Sequence, residues 1–251
     1  MDSFPLQVLA LIAVGFVSGF LNILAGGGSL LTLPLLIFLG LPATVANATN
    51  RVGVLFQNVF AVDAFRRRGI FPARLALFCS LPAIVGSFLG ARLAVDIDEV
   101  LFQRLLAVIM IGILVFTLVD PMKNRRREDL VITPWRGAVL LLSFFFIGVY
   151  GGFIQAGVGF LIIPALMLHG VDLVRTNAVK IIVVLIFTIP ALAVFLWHDQ
   201  VNWPLGIALA IGNSAGGWVA THVAVKKGHD WIKRVVSLTV LVFALKLLFA
   251  P

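Results

Sequence analysis

The chain has 251 residues, of which 61% are hydrophobic and 12% charged, and its mean hydropathy is +1.11. Soluble domains carry about 25% charged residues, so this composition excludes a soluble globular protein and points to an all-α integral membrane protein. The net charge is +8, but the basic residues cluster in short loops, where they act as topology signals and contacts to membrane lipids rather than as a surface for nucleic acid.

The apolar runs are about 20 residues long, the length of a helix crossing a bilayer; barrel strands would show ~10-residue alternation instead. The single cysteine, Cys79, excludes an internal disulfide and a cysteine metal cluster, and its apolar surroundings predict a packing role. The opening MDSFP lacks a basic region, so the first run reads as a spanning helix rather than a cleaved signal.

In chain order, the pattern predicts a first helix over 5–25, with Ser18, Gly19 and Asn22 on one small, polar side. Gly26, Gly27 and Gly28 then break the run, and a short helix containing Pro34 follows over 29–39. Eleven residues rise only ~16 Å as a helix. A third helix spans 45–65, with Gln57, Asn58 and Asp63, and is followed by Arg66, Arg67, Arg68 and Arg74. A fourth spans 72–95 and carries GSFLGA, a pattern for close helix contact. A fifth covers 100–119. After the basic stretch Lys123–Arg127 come helices over 135–156, 160–168 (short), 173–197 and 204–225, then a last one to the C-terminus. The helix over 204–225 carries GNSAGGWVA as its small-residue face.

The broken region occurs twice. Adding 130 takes Gly27 to Gly157, Pro34 to Pro164, Gly40 to Gly170, Asn47 to Asn177 and Ala48 to Ala178. Upstream the offset is 133, so GFVSGF at 15–20 matches GVYGGF at 148–153. Five matches in order at one spacing mark an internal repeat. The domain reading is a first membrane repeat over 1–120, a cytoplasmic basic linker over 121–134, and a second repeat over 135–251. Loops 66–74, 121–136 and 226–234 are rich in Lys and Arg and fall inside by the positive-inside rule; loops 96–99 and 198–203 fall outside. The count closes only if each short segment crosses. Each half then has five crossings, about ten in all, and the second repeat is inverted. The competing topology makes the short segments re-entrant and leaves one basic loop on the wrong side.

Inverted repeats with broken helices are a secondary-transporter design, with sites near mid-membrane. A helix starting after Gly28 or after Gly159 exposes backbone N–H groups and about half a positive charge, which suits an anion. The other reading is that the glycines merely allow tight crossing. The candidate site residues are Gly26, Gly27, Gly28, Ser29, Asn22, Asn47, Asn50, Arg51, Gln155, Gly157, Gly159, Asn177 and Lys180. Arg51 and Lys180 would form a pair of cations, one from each half, or else snorkel to an interface. The Asn and Gln side chains would hydrogen-bond the anion or serve as interhelical glue. His222 is a proton shuttle or a packed histidine, and Asp63 pairs with Arg66. There is no HExxH, no clustered ligand set for a metal, no catalytic triad and no phosphate loop. The chain therefore reads as no enzyme, with no cofactor and no metal.

At the repeated motif the sequence resembles the TauE/SafE family of sulfite-exporter-like anion transporters. The matching stretches are AGGGSLLTLPLL at 25–36, LGLPATVANATNR at 39–51 and, in a degenerate copy, QAGVGFLIIPALMLHGVDLVRTNAVK at 155–180. The resemblance implies a multi-pass protein of the bacterial inner membrane that moves sulfite, sulfonates or related organosulfur anions. A passive anion channel and a non-transporting scaffold are the rival readings. A homodimer would form through the GSFLGA or NSAGGWVA faces.

Overall fold

The computed structural model describes residues 3–119 and 133–223. They form the helices α1 (Ser3–Ala25), α2 (Ser29–Phe38), α3 (Ala43–Arg67), α4 (Ala73–Val95), α5 (Glu99–Val119), α6 (Pro134–Phe153), α7 (Gly159–Met167), α8 (Leu173–Trp197) and α9 (Trp203–Val223), and no strand occurs among the described residues. The expected final helix and most of the basic linker lie outside them. Local chemistry sets several boundaries. The Thr133 hydroxyl accepts from Arg136 N–H with Pro134 in the first turn of α6, and the Asp172 carboxylate accepts from Val174 and Arg175 N–H at the start of α8. The helix expected over 135–156 ends earlier, at Phe153. There Gln155 turns to φ +65° and the Tyr150 hydroxyl donates to Ala156 O.

Five helices are long and apolar enough to cross a membrane by length and composition: α1, α4, α5, α6 and α8. The 25-residue α3 is not among them, because Asn47, Thr49, Asn50, Arg51, Gln57 and Asn58 interrupt its apolar character. All six are buried. Protein rather than lipid surrounds this polar face of α3, so it can carry groups that a lipid-facing surface cannot, while Phe56, Val59 and Phe60 remain exposed.

The glycine faces show how the helices run. Gly212 meets Ile12 O and Gly216 meets Phe16 O, so α1 and α9 pack parallel. Gly206 meets Thr49 and Val52, and Gly217 meets Gln57, so α3 is parallel to α9 as well. Gly148 meets Ala83 O and Gly152 meets Ser87 O, which makes α4 and α6 parallel. The Ser87 hydroxyl donates to Phe187 O and Gln200 Nε2 donates to Val95 O, so α8 runs with α4. The α1–α3–α9 and α4–α6–α8 groups meet where α3 and α8 cross antiparallel, with Arg51 on Phe195 at one level and Val54 near Val184 at another. Because α1 and α3 share a direction, α2 carries the chain back between them.

The small-residue faces are thus consumed within one chain. Gly86 and Gly90 lie against Phe145 O and Val149 O of α6, and the α9 glycines lie against α1. The homodimer expected through these faces is not shown: backbone of the same chain already lies against their glycines. Beside this crossing, Phe102, Leu106 and Met110 of α5 pack with Leu30, Leu33 and Ile154 in a buried apolar cluster. Cys79 is buried beside Ala76, Ala83 and Phe144, as expected of a packing residue.

Candidate anion site at the two helix breaks

The two glycine breaks touch. A Cβ built on Gly26 would stand 2.5 Å from the Gly159 Cα, and one on Gly159 would stand 2.4 Å from the Gly26 Cα. Gly26 also has φ +80°, a conformation open to glycine at little steric cost. Real carbon contacts lie at roughly 3.5–4.0 Å, so only glycines allow this approach. It brings the first residues of α2 and α7 to the same place.

A small cavity lies there, about 10 Å³ for the centre of a water-sized sphere, room for roughly one water. Its polar wall comes from Asn22 of α1, Ser29 of α2, Asn58 of α3, Gln155 and Lys180 of α8. Val54, Val158, Ile181 and Val184 supply the apolar wall. Neither half-helix has a side-chain cap at its N-terminus. The N–H groups of Leu30 and Leu31 turn back onto Gly27 O and Gly28 O, and those of Phe160 and Leu161 onto Gly157 O and Val158 O. The positive ends of both dipoles therefore face the cavity, but the donors after the first residue are already used.

The two cations do not form a symmetric pair. The repeat places Lys180 over Asn50 and Arg51 over Ile181, and one residue along a helix turns a side chain by about 100°. Lys180 lines the cavity and is 3% exposed. Its Nζ donates to Asn22 O (3.1 Å), Ile23 O (3.1 Å) and Asn177 Oδ1 (2.9 Å). Arg51, 0% exposed, is not among the cavity-lining residues. Its guanidinium donates to Gly151 O (2.9 Å), Gly152 O (2.6 Å) and Asn47 Oδ1 (3.5 Å) and lies 4.8 Å from the Phe195 ring centroid. Each cation thus holds the last turn of the broken helix from the opposite half: Lys180 that of α1, Arg51 that of α6. A cation is favourable at a helix C-terminus, where the dipole is negative and carbonyls lack partners. Burial removes the snorkelling alternative for both.

The other sequence candidates divide. Asn47 Nδ2 donates to Phe153 O, and Asn50 Oδ1 accepts from the Thr32 hydroxyl, so both act as interhelical ties. Gly28 packs on Ser18 O and Asn22, Gly27 on the Phe160 ring, and Gly157 (φ +70°) beside Ile113. Gln155 Nε2 donates to the Thr188 hydroxyl at 2.7 Å, while its Oε1 is buried without a partner. Reversing this amide gives the cavity a donor and lets Thr188 donate in turn. Asp63 pairs with Arg67 (2.8 Å) rather than with Arg66, and the exposed His222 bonds Trp218 O one turn back.

Sequence reasoning left out Asn58, which lines the cavity, and Thr188, which holds Gln155 beside it. Asn58 is 2% exposed, lines the cavity and has an unpartnered Nδ2. A signal was present, since the 130-residue offset sets Asn58 over Thr188 and Val54 over Val184. Among the described residues no carboxylate lines the cavity, and the ion pairs Asp63–Arg67 and Asp172–Arg175 sit on exposed side chains. Among the described residues no group of His, Cys, Asp or Glu is placed to hold a metal.

Residues 11–247 match the family described as sulfite exporter TauE/SafE. The chain is similar along its whole length to a probable membrane transporter protein, ORF9, of Sinorhizobium sp, with 26% identity covering 100% of this chain and 96% of that protein. A probable membrane transporter protein of Haemophilus influenzae shares 27% identity over 95% of this chain and 93% of its own. The probable membrane transporter protein YfcA of Escherichia coli shares 26% over 98% and 91%. No solved structure matches the chain. A multi-pass helical architecture and a family match running almost from end to end agree: this chain belongs to the sulfite exporter TauE/SafE family of membrane transporters.

Proposed function

We propose that the chain carries a small sulfur-containing anion across the membrane by alternating access between two inverted repeats, with the cavity at the helix breaks as its binding site. The observation that carries this reading is the charge at the cavity: one buried lysine, two half-helix N-termini and, among the described residues, no carboxylate. Such a setting favours a negative guest. Lys180 supplies charge, Asn58 Nδ2 an unused donor, and Ser29 and Asn22 further hydrogen bonds. Gly26 and Gly159 let the two half-helices meet there. Arg51 acts at one remove, fixing the end of α6 from which Gln155 projects.

The helix directions support the inverted arrangement. α1 runs with α3 and α9, while its counterpart in the second half, α6, runs with α4 and α8 in the opposite sense. With α2 and α7 as crossings, the first half contributes five and the second half four among the described residues. Loop 68–72 then lies on the opposite side of the membrane from loop 198–202. Cysteines placed at Arg68 and at Asp199, in a Cys79→Ala background, should label from opposite sides; labelling from one side would remove the inversion.

The test of function is thermal stabilisation of the purified protein by sulfite, thiosulfate and sulfonates. A ligand that binds only the folded state raises Tm with its affinity. A shift in the parent protein that disappears in Lys180→Met supports the site, and an equal shift in both removes it. Counterflow in vesicles separates a carrier from a pore.

A further inference from the structure

Resting on the reading of the halves as inverted repeats with this cavity as the substrate site, we propose that a different cation serves the cavity in each access state. Lys180 serves it in this structure, and Arg51 serves it in the state that opens to the other side of the membrane. The pairing of residues across the repeat carries this. At the offsets of 130 and 133, three counterpart pairs line the cavity together: Asn22 with Gln155, Ser29 with Gly159 and Val54 with Val184. A cavity walled by both members of each pair lies where the halves meet about their shared two-fold axis.

The rest of the wall breaks that symmetry. Lys180 and Ile181 line the cavity, but their counterparts Asn50 and Arg51 do not; Asn58 lines it, but its counterpart Thr188 does not. Two like halves in unlike positions around one site are what a single access state of such a carrier requires, since a symmetric arrangement opens to both sides or to neither. When the halves exchange positions, each residue takes its counterpart's place. Thr188 then replaces Asn58, Arg51 comes to the wall that Ile181 now forms, and Lys180 withdraws to the place of Asn50. Because Ile181 and Asn50 are uncharged, each state has one cation at the wall.

Unused donors mark the groups that this exchange employs. Arg51 Nε and Asn50 Nδ2 are buried without partners, although other atoms of the same side chains bond Gly151 O, Gly152 O and the Thr32 hydroxyl. A buried donor left unmet is costly, and a state that turns it toward an anion or water removes that cost. Lys180 and Arg51 also each hold backbone carbonyls of the opposite half. A movement of one half against the other therefore changes both sets of bonds together.

Charged thiol reagents read the two states without knowledge of the substrate. In a Cys79→Ala background, Asn58→Cys and Thr188→Cys in oriented vesicles are treated from either side with two membrane-impermeant methanethiosulfonates, the anionic sulfonatoethyl and the cationic trimethylammonioethyl reagent. The two cysteines should be modified from opposite sides. Each should favour the anionic reagent by about ten-fold or more relative to a free thiol. Lys180→Met should abolish that preference at Asn58→Cys and spare it at Thr188→Cys, and Arg51→Gln should do the reverse. Modification of both cysteines from the same side overturns the exchange. A preference at Thr188→Cys that is lost with Lys180 overturns the handover of charge and leaves the carrier reading standing; this arm decides even where Arg51→Gln does not fold. If neither cysteine is modified from either side, the cavity is no access point, and the reading of the site fails together with the proposal.

Discussion

Adding a methyl group at the point where the two helix breaks meet separates two effects that coincide at Gly26. Gly26 has φ +80° and its Cβ would fall 2.5 Å from the Gly159 Cα; Gly159 has no left-handed φ, yet its Cβ would fall 2.4 Å from the Gly26 Cα; Gly40 has φ +94° and open space around it. Gly40→Ala therefore carries only the backbone term, about 1–2 kcal/mol for an L-residue in the left-handed region. Gly159→Ala carries only the contact term. Restoring a normal carbon separation moves the breaks apart by about 1 Å, and overpacking of this kind costs about 1–3 kcal/mol. Gly26→Ala carries both, about 2–5 kcal/mol. In a chain of this length each kcal/mol moves Tm by about 2–4 °C. The three variants should thus rank Gly26→Ala as least stable, with the other two each closer to the parent. The double variant Gly26→Ala/Gly159→Ala should lose less than the sum of its parts, because one displacement relieves both contacts. Thermal unfolding in detergent measures the ranking, and vesicle uptake measures function. Gly159→Ala should impair transport while Gly40→Ala should spare it. A Gly159→Ala protein as stable and active as its parent would refute the direct contact of the breaks and the site built on it.

Arg51→Met and Lys180→Met should both lower Tm, since each cation holds a helix end, and Lys180→Met should in addition remove the ligand-induced shift. Arg51 makes two charged hydrogen bonds to the end of α6, each worth about 1.5–3 kcal/mol, so Arg51→Met should lower Tm or abolish folding; an unchanged Tm would show that Arg51 does not hold α6. Gln57 is fully buried with neither amide atom partnered, so Gln57→Leu should raise stability by about 1–3 kcal/mol. A fall in Tm would mean that ordered water satisfies the amide.

Much of the architecture was legible in the chain itself. Apolar run lengths announce spanning helices, and the recurrence of Gly, Pro and Asn at an offset of 130 announces a repeat, because a helix break needs those residues wherever it occurs. The positions of Asn22, Ser29, Gln155, Gly159 and Lys180 at one cavity follow from the same pattern. The roles of the cations did not follow. Arg51 and Lys180 look alike in sequence, each a lone charge one turn past an asparagine, and each ties down a neighbouring helix end, yet of the two it is Lys180 that lines the cavity. That distinction depends on which carbonyls the facing helix presents, and those belong to residues 100 or more positions away. The use of the glycine faces within one chain was equally hidden: a small-residue stripe specifies close approach but not its partner. Sequence determines what each helix can tolerate on its surface, and only the packing of α1 on α9 and α6 on α4 decides what that surface meets.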